Sequence, residues 1–255
     1  MSTEILRKQI IVPEESASGM GAYLAQPTEP GKYPGVIVGM ELFGVTRHIR
    51  SIVDRIAALG YIAIAPDFYH SSEAGVELNY DQAGRTRGFE LLHQTTREQA
   101  LMDVAATMDY LRLRPDFNGR TGFLGFSVGG HIAYLAATQF PLSACAIFYA
   151  GWLTTTDIEL SQPEPTINLT AGIAKTGCRI LYIVGENDAL IPASQREALQ
   201  HALESAQVRH EIIIYPDVMH GFFCDERETF NQDASNDAWE RVTKLFDTEQ
   251  ERQAH

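Results

Sequence analysis

A serine in a glycine-rich turn is the clearest candidate for chemistry in this sequence. Ser127 lies within the stretch from Gly125 to Gly130, which reads GFSVGG, between an apolar run and a helical pattern of small residues. Flanking glycines in a G-x-S-x-G turn allow a tight strand-to-helix bend that exposes the serine at the end of a sheet. The pattern predicts that Ser127 is a nucleophile. The alternative interpretation is a tight turn with only a structural role.

A serine hydroxyl becomes nucleophilic when a base takes its proton and an acid orients and stabilises that base. Two later segments supply these groups. Asp188 follows a predicted strand that ends at Val184, and His220 follows one that ends at Tyr215. The order nucleophile, acid, histidine is one of the chain orders in which such triads occur. We therefore predict that Ser127, Asp188 and His220 act together.

Each partner of Ser127 also has an alternative interpretation. Asp188 could cap the helix predicted from Ala193, and Glu186 is a second acid only two residues earlier. His220 could be an ordinary loop histidine with a satisfied hydrogen bond. His131 lies four residues after Ser127, one turn along the same predicted helix, and we expect it to be structural.

Acyl transfer also requires two backbone N–H groups that face the developing oxyanion. One is expected from Val128, the residue after the nucleophile, and the other from the loop after the first parallel strand, where Leu42 is the candidate. Glu41 precedes Leu42 and puts a carboxylate into an otherwise apolar strand end. It is either a group of the site or an ordinary surface carboxylate.

The elements that must hold these residues alternate between strands and helices. Six short runs rich in β-branched and aromatic residues are continuously apolar, as expected for strands covered on both faces of a parallel sheet. These runs are 35–39, 61–65, 121–125, 144–149, 179–184 and 210–215. Weaker strands around Ile10 and Tyr23 predict an antiparallel hairpin with a glycine-containing turn at the sheet edge. The fold class is therefore α/β, with residues 1–255 as one domain.

Helical patterns lie between the predicted strands. An apolar stripe from Ile49 to Leu59 ends at Gly60, which suits the left-handed conformation of a helix end. A second stripe runs from Leu101 to Leu111. Further helices are expected after the serine turn and over 193–206 and 236–249. Two stretches, 70–87 and 152–177, follow strands at their carboxyl ends and are either surface loops or segments that cover the substrate.

Composition argues against several other functions. The chain has 20 Lys and Arg against 33 Asp and Glu, a net charge of −13, which disfavours nucleic acid and anionic membranes as partners. Three cysteines without a C-x-x-C pair, and histidines without the i, i+4 spacing of zinc sites, predict no metal site. The apolar stretches are shorter than the roughly 20 residues of a membrane-spanning helix, and the charged start is unlike a signal peptide, so we expect a cytoplasmic protein.

The ordered set of motifs resembles the dienelactone hydrolase family of α/β-hydrolases over about residues 20–247. The motifs are Glu41 to Gly44, Tyr61 to Asp67, Gly125 to Gly130, Gly185 to Asp188 and His220 to Phe222. The resemblance implies an α/β-hydrolase fold with a mostly parallel sheet, helices on both faces, no separate lid domain and no cofactor. It also implies that Glu41 lies beside the nucleophile and that the N–H groups of Leu42 and Val128 form the oxyanion hole.

One position departs from the family pattern. The type enzymes have a cysteine nucleophile where this chain has Ser127. Because a hydroxyl ionises far less readily than a thiol, a serine depends on His220 throughout, and Glu41 is expected to hold the turn by hydrogen bonds. The resemblance also implies arginines that bind a substrate carboxylate, and His70 stands where one is expected. The candidates for this role are Arg85, Arg87 and Arg227.

Together these residues predict a cofactor-free serine hydrolase that cleaves a small carboxylic ester or lactone. Phe43, Tyr149 and Trp152 are predicted to line an apolar pocket, the alternative being that they belong to the core. A triad alone leaves the acyl bond open, so a thioester or a peptide is an alternative substrate. A binding protein that keeps the fold without turnover is a second alternative. The sequence is compatible with a monomer or a homodimer.

Overall fold

The strands of the protein pair into an eight-stranded sheet with the order β1-β2-β4-β3-β5-β6-β7-β8. The computed structural model describes residues 3–13 and 19–250. The strands are β1 (Ile5–Val12), β2 (Met20–Pro27), β3 (Tyr33–Gly39), β4 (Ile62–Pro66), β5 (Phe117–Phe126), β6 (Ala144–Phe148), β7 (Arg179–Gly185) and β8 (His210–Tyr215). Strand β2 pairs antiparallel with both β1 and β4, and the strands from β3 to β8 run parallel to one another.

Helices cover both faces of this sheet. They are α1 (Arg47–Ala58), α2 (Gln82–Leu92), α3 (Arg97–Arg112), α4 (Val128–Ala137), α5 (Ala171–Thr176), α6 (Ala193–Ser205) and α7 (Gln232–Gln250). On β5, Gly122 faces Phe246 of α7, whereas Gly125 faces Gly129 of α4. Since side chains alternate along a strand, residues three apart point to opposite faces, so α4 and α7 lie on opposite sides. Within the described ranges, no helix combines the length and apolar character needed to cross a bilayer.

The parallel part of the sheet confirms the strand predictions. The six predicted runs correspond to β3 to β8, with β5 beginning four residues earlier than expected, at Phe117. Helix α1 ends as predicted, because Gly60 adopts a left-handed φ of 95°. Strands β1 and β2 form the predicted antiparallel pair, and most of the turn between them, 14–18, lies outside the described residues.

Helix α2 was not predicted, because its buried face carries no apolar periodicity. Two of its four buried residues are Gly84 and Gly88. At Gly88 a Cβ would lie 2.6 Å from Leu42 Cγ and 2.7 Å from Leu42 O. The backbone of the helix therefore packs directly against Leu42 in the loop after β3. The side chain of Asp81 caps its first turn by accepting from Gly84 N at 2.7 Å. The stretch 70–87 therefore contains a helix start as well as a loop.

The second interrupting stretch, 152–177, is also partly ordered. It contains two short 3₁₀ turns, Glu159–Ser161 and Thr166–Leu169, and the helix α5. Helix α5 ends at Gly177, which has a left-handed φ of 77°. These turns are too short to show the periodicity on which sequence prediction depends.

Glycines bring the ends of β3 and β5 directly against α4. A Cβ at Gly129 would lie 2.3 Å from the carbonyl carbon of Gly39 and 2.5 Å from Met40 O. A Cβ at Gly125 would lie 2.2 Å from Gly129 O. The obstructing atoms belong to the backbone and cannot rotate away. The two strands and the helix can therefore approach this closely only where side chains are absent.

This contact predicts that Gly129→Ala destabilises the protein. Because the added methyl group overlaps backbone atoms of β3, we expect the free energy of unfolding to fall by about 1–3 kcal/mol. Urea unfolding followed by circular dichroism measures the change. Gly21→Ala is the matched control, since a Cβ there meets no atom within 4 Å. Equal stability of the two variants would contradict the packing.

Candidate active site

Ser127 occupies a strained position between β5 and α4. Its φ of 52° and ψ of −110° lie outside the regions that residues with a side chain prefer. Such a conformation costs on the order of 1–3 kcal/mol and persists only where the surroundings enforce it. The glycine contacts provide that enforcement, as does the hydrogen bond from Ser127 N to Phe148 O of 2.9 Å. The turn therefore places the hydroxyl at the carboxyl end of the parallel strands.

The structure brings the three residues of the predicted triad into one hydrogen-bonded chain. Ser127 Oγ lies 3.1 Å from His220 Nε2, and His220 Nδ1 lies 2.7 Å from Asp188 Oδ2. The other oxygen of Asp188 accepts from Leu190 N at 2.9 Å. Because the carboxylate only accepts, Nδ1 carries the imidazole hydrogen, and the lone pair on Nε2 faces the serine hydroxyl.

The acid beside His220 is Asp188 and not its neighbour Glu186. The Asp188 side chain is fully buried, whereas Glu186 is exposed. The three groups follow β5, β7 and β8. Parallel strands end at the same edge of the sheet, which explains how residues so far apart in the chain meet there.

The two predicted oxyanion donors stand at neighbouring strand ends. Val128 is the first residue of α4, and Leu42 lies in the loop after β3. Among the described residues neither backbone N–H donates a hydrogen bond. The Leu42 loop is held by bonds from Gly129 N to Met40 O, 2.8 Å, and from Tyr69 Oη to Leu42 O, 3.1 Å. The two N–H groups thus have no acceptor within the described residues, and their use as oxyanion donors stays a prediction.

Glu41 is buried, which rules out the surface alternative. Its side chain is 2% exposed, and Oε1 accepts from Tyr149 Oη at 3.1 Å and from Arg227 Nη1 at 3.3 Å. Its Oε2 has no hydrogen-bond partner among the described residues. Burial, and then the Glu41 carboxylate, raise the pKa of Tyr149, which therefore stays a hydrogen donor at neutral pH. The charge of Glu41 is balanced locally by Arg227.

Arg227 is itself tightly placed. Its guanidinium stands over the Phe43 ring, 5.7 Å from the ring centre. A Cβ at residue 221 would lie 2.0 Å from Nη1 of this arginine, and Gly221 has a left-handed φ of 75°. Glycine at 221 therefore serves two needs, the backbone turn after His220 and the space for Arg227.

The residues predicted to line the pocket differ in exposure. Tyr149 is fully buried, with its ring centre 4.8 Å from that of His220. Phe43 is buried and meets Tyr80 edge to face at 4.7 Å. Trp152 is half-buried against Phe89 of α2, with ring centres 6.2 Å apart. The sequence did not single out Phe89, because the helix that carries it, α2, was not predicted. Contact of these rings with a substrate remains a prediction.

The other cations considered for substrate binding differ in their surroundings. Arg87 is half-buried and paired with Glu73 and Glu90. Arg85 is an exposed residue of α2. His70 Nε2 lies 3.1 Å from the buried Asp103 Oδ1. Of these candidates, Arg227 is the one that joins the hydrogen-bond network of Glu41.

One group of possible metal ligands occurs in the described parts of the chain. His48, Cys224 and Asp225 each offer a donor atom, all within 4.8 Å of one another. Burial, and then the Glu41 carboxylate, raise the pKa of the Cys224 thiol to about 12. In the absence of a metal ion this residue is therefore a protonated thiol at neutral pH. We assign this group no step in the chemistry.

His131 is a buried structural histidine. Its side chain lies one turn after Ser127, with Nδ1 2.9 Å from Gly151 O and Nε2 2.8 Å from Thr166 Oγ1. Burial lowers its pKa to about 4. At neutral pH it is therefore uncharged and satisfied at both nitrogens.

Comparisons with known proteins agree on one family. The dienelactone hydrolase family profile matches residues 20–250. A provisionally named carboxymethylenebutenolidase from Synechocystis sp. is 37% identical over 254 residues, which cover 98% of this chain and 99% of that protein. Carboxymethylenebutenolidase 1 from Cupriavidus pinatubonensis is 26% identical over 243 residues, 95% of this chain and 97% of that protein. The crystal structure of a provisionally named dienelactone hydrolase from Klebsiella pneumoniae has a TM-score of 0.85 at 28% identity, covering 96% and 99% of the chains.

The buried pair predicts that Arg227→Met destabilises the protein strongly. Because the Glu41 carboxylate would lose its counter-charge, we expect a loss of about 3 kcal/mol in urea unfolding. Adding Glu41→Gln should recover most of it, since an amide oxygen still accepts from Tyr149. Arg112→Met is the control, because its partner Asp109 is 65% exposed and the pair contributes less than about 1 kcal/mol. Similar losses in the two single variants would refute the buried-charge account.

The neutral His131 predicts acid sensitivity. Its pKa is about 4 in the folded protein against 6.5 ordinarily, so between these values the unfolded chain binds a proton that the folded chain does not. The contribution of neutral His131 to the free energy of unfolding is therefore fully present above pH 6.5 and is lost as the pH falls toward 4. From pH 7 to 4.5 the wild type should lose about 2–3 kcal/mol more than His131→Asn, measured by urea unfolding. Equal losses would mean that His131 does not titrate in this way.

Proposed function

Because the chain belongs to the dienelactone hydrolase family and has the α/β-hydrolase fold, we propose that it hydrolyses a small carboxylic ester or lactone with Ser127 as nucleophile. The observation that carries this proposal is the hydrogen-bonded chain from Ser127 Oγ through His220 to Asp188. The strained serine conformation supports it, since such strain collects at reacting groups.

In the proposed first half-reaction, Ser127 Oγ attacks the carbonyl carbon while His220 Nε2 takes the hydroxyl proton. Asp188 stabilises the resulting imidazolium through Nδ1–H. The N–H groups of Leu42 and Val128 donate to the oxyanion of the tetrahedral intermediate. Collapse of this intermediate breaks the bond to the leaving alcohol oxygen, which receives the proton from His220. The product is an acyl group esterified to Ser127.

The second half-reaction uses the same groups in reverse order. His220 takes a proton from water, the hydroxide attacks the acyl carbon, and the proton returns to Ser127 Oγ as the carboxylic acid leaves. In a lactone the alcohol and acid remain one molecule. No redox or metal step is needed for this balance.

Glu41 has a positioning role in this proposal. Its carboxylate holds Tyr149, whose ring lies against His220, and it is already paired with Arg227. A serine hydroxyl is activated through the histidine at its Nε2, so no second base is required. The family pattern of a glutamate beside the nucleophile is thus compatible with serine.

The names of the relatives favour a lactone among the candidate substrates. Carboxymethylenebutenolidase denotes cleavage of a butenolide, which is an unsaturated lactone. A thioester or a peptide remains the alternative with the same triad, because the three groups act on any acyl carbon. Rates on matched lactone, aryl ester, thioester and anilide substrates distinguish these cases.

The mechanism predicts loss of p-nitrophenyl acetate hydrolysis in Ser127→Ala and His220→Ala. We expect kcat to fall by about 10³- to 10⁴-fold or more in both variants. In Asp188→Asn kcat should fall by a similar factor, because the required imidazole tautomer is lost. Glu186→Gln, the neighbouring exposed acid, and Ser143→Ala, a half-buried serine elsewhere, are matched controls that should retain wild-type rates.

Labelling by a fluorophosphonate separates this proposal from a binding protein without turnover. The probe should modify Ser127 in the wild type, shown by mass spectrometry of the peptide, and leave His220→Ala unmodified. Wild-type protein that hydrolyses no acyl substrate and takes up no probe would overturn the proposed function.

A further inference from the structure

A buried chain of polar side chains connects the nucleophile helix to the segment after β6. His131 on α4 bonds to Gly151 O at 2.9 Å and to Thr166 Oγ1 at 2.8 Å. Arg97 on α3 donates through Nη2 to Thr166 Oγ1 at 3.2 Å. His131 and Thr166 are fully buried. The chain thus runs from Arg97 through Thr166 and His131 to Gly151.

The direction of every hydrogen bond in this chain is determined. Gly151 O can only accept, so His131 Nδ1 carries the hydrogen and Nε2 has the lone pair. Thr166 must therefore give its hydroxyl hydrogen to Nε2, and its oxygen accepts from Arg97, which has donors only. Each buried group is satisfied in one arrangement alone. Such a network favours a unique geometry, because any other leaves a buried donor or acceptor unpaired.

Arg97 also anchors the rest of the segment. Its Nε donates to Leu160 O at 3.2 Å and its Nη2 to Glu164 O at 2.6 Å. Ser161 Oγ in turn donates to Trp152 O at 3.1 Å. The segment from Trp152 to Thr166 is therefore hydrogen-bonded to α3 and α4 at several points. Such anchoring is expected of a segment with a fixed position and not of a loop that opens.

The backbone is strained two residues before Gly151 and directly after it. Tyr149 has φ 38° and Trp152 has φ 58°, both positive without being glycine. Such conformations need external support. Tyr149 is also the residue whose ring lies 4.8 Å from the ring of His220. The carbonyl that His131 holds thus stands two residues from a side chain in contact with the proposed catalytic base.

We propose that His131 is a positioning residue for His220, acting through Gly151 and Tyr149. The inference rests on the proposed hydrolase mechanism, in which His220 must face Ser127 Oγ. His131 touches no reacting atom. It holds the backbone on which Tyr149 keeps the imidazole of His220 aligned, and Thr166 with Arg97 holds His131 in the required tautomer.

The test compares three variants that differ in whether they keep the hydrogen bond from residue 131 to Gly151 O. His131→Leu removes it, and His131→Asn keeps a donor near the position of Nδ1. Thr166→Val keeps the bond to Gly151 and removes the hydroxyl that links Nε2 of His131 to Arg97. We expect His131→Leu to lower kcat for p-nitrophenyl acetate by about tenfold or more with KM changed less than about twofold, because misalignment affects the chemical step. His131→Asn should restore kcat to within about threefold, and Thr166→Val should lie between them.

The control is Thr107→Val, a fully buried threonine on α3 whose hydroxyl bonds within its own helix. It also removes a buried hydroxyl, so any loss of stability, measured by thermal unfolding, should leave kcat at the wild-type value. All rates are measured well below each unfolding midpoint. The rate of fluorophosphonate labelling of Ser127 should fall with kcat in His131→Leu and recover in His131→Asn.

The outcomes separate the two proposals. If Ser127→Ala retains activity, the proposed function fails regardless of His131. If Ser127 is essential but a folded His131→Leu keeps the wild-type kcat and labelling rate, the positioning role is wrong. Equal loss of kcat in His131→Leu and His131→Asn would likewise overturn it, since the retained donor would then have no effect.

Discussion

The close approach of three backbones at the serine turn is the constraint on which the site depends. Gly39, Gly125 and Gly129 let the ends of β3 and β5 meet the start of α4 without intervening side chains. This contact keeps Ser127 in a conformation that a free chain avoids, with its hydroxyl turned toward His220. It also joins the Leu42 loop to α4, so the two proposed oxyanion donors are placed by the same packing that places Ser127.

Burial of charge is the second organising feature around this turn. Asp188 and Glu41 are both withdrawn from water, and each is compensated differently: Asp188 by His220 and a backbone N–H, Glu41 by Tyr149 and Arg227. In a medium of low dielectric constant these bonds are strong, and an uncompensated charge is costly. The arrangement therefore tolerates little movement, which suits a site that must be formed before the substrate arrives. His131 is a further buried polar group whose hydrogen bonds are all made, and these bonds hold the segment after β6.

Sequence periodicity predicted the parallel strands well because β3 to β8 are covered on both faces and read as unbroken apolar runs. It failed for α2, where the buried positions Gly84 and Gly88 give no apolar signal. The candidate triad could be named from the sequence because serine, aspartate and histidine stand out by type at the ends of apolar strands. The partners of those residues were not, because Arg227 meets Glu41, and Thr166 meets His131, across distances in the chain that no local pattern spans.

The sequence by itself determined the fold class, the family resemblance and the candidate residues Ser127, Asp188 and His220, since each depends on residue type, order and local periodicity. Only the tertiary structure decided which acid pairs with His220, Asp188 or Glu186. It also showed that Glu41 is buried against Arg227 and that the segment 152–166 is anchored to α3 and α4. The physical reason is that burial and hydrogen-bond partnership are properties of how distant segments pack. Two acids two residues apart are alike in sequence and become different groups when one faces a histidine and the other faces water.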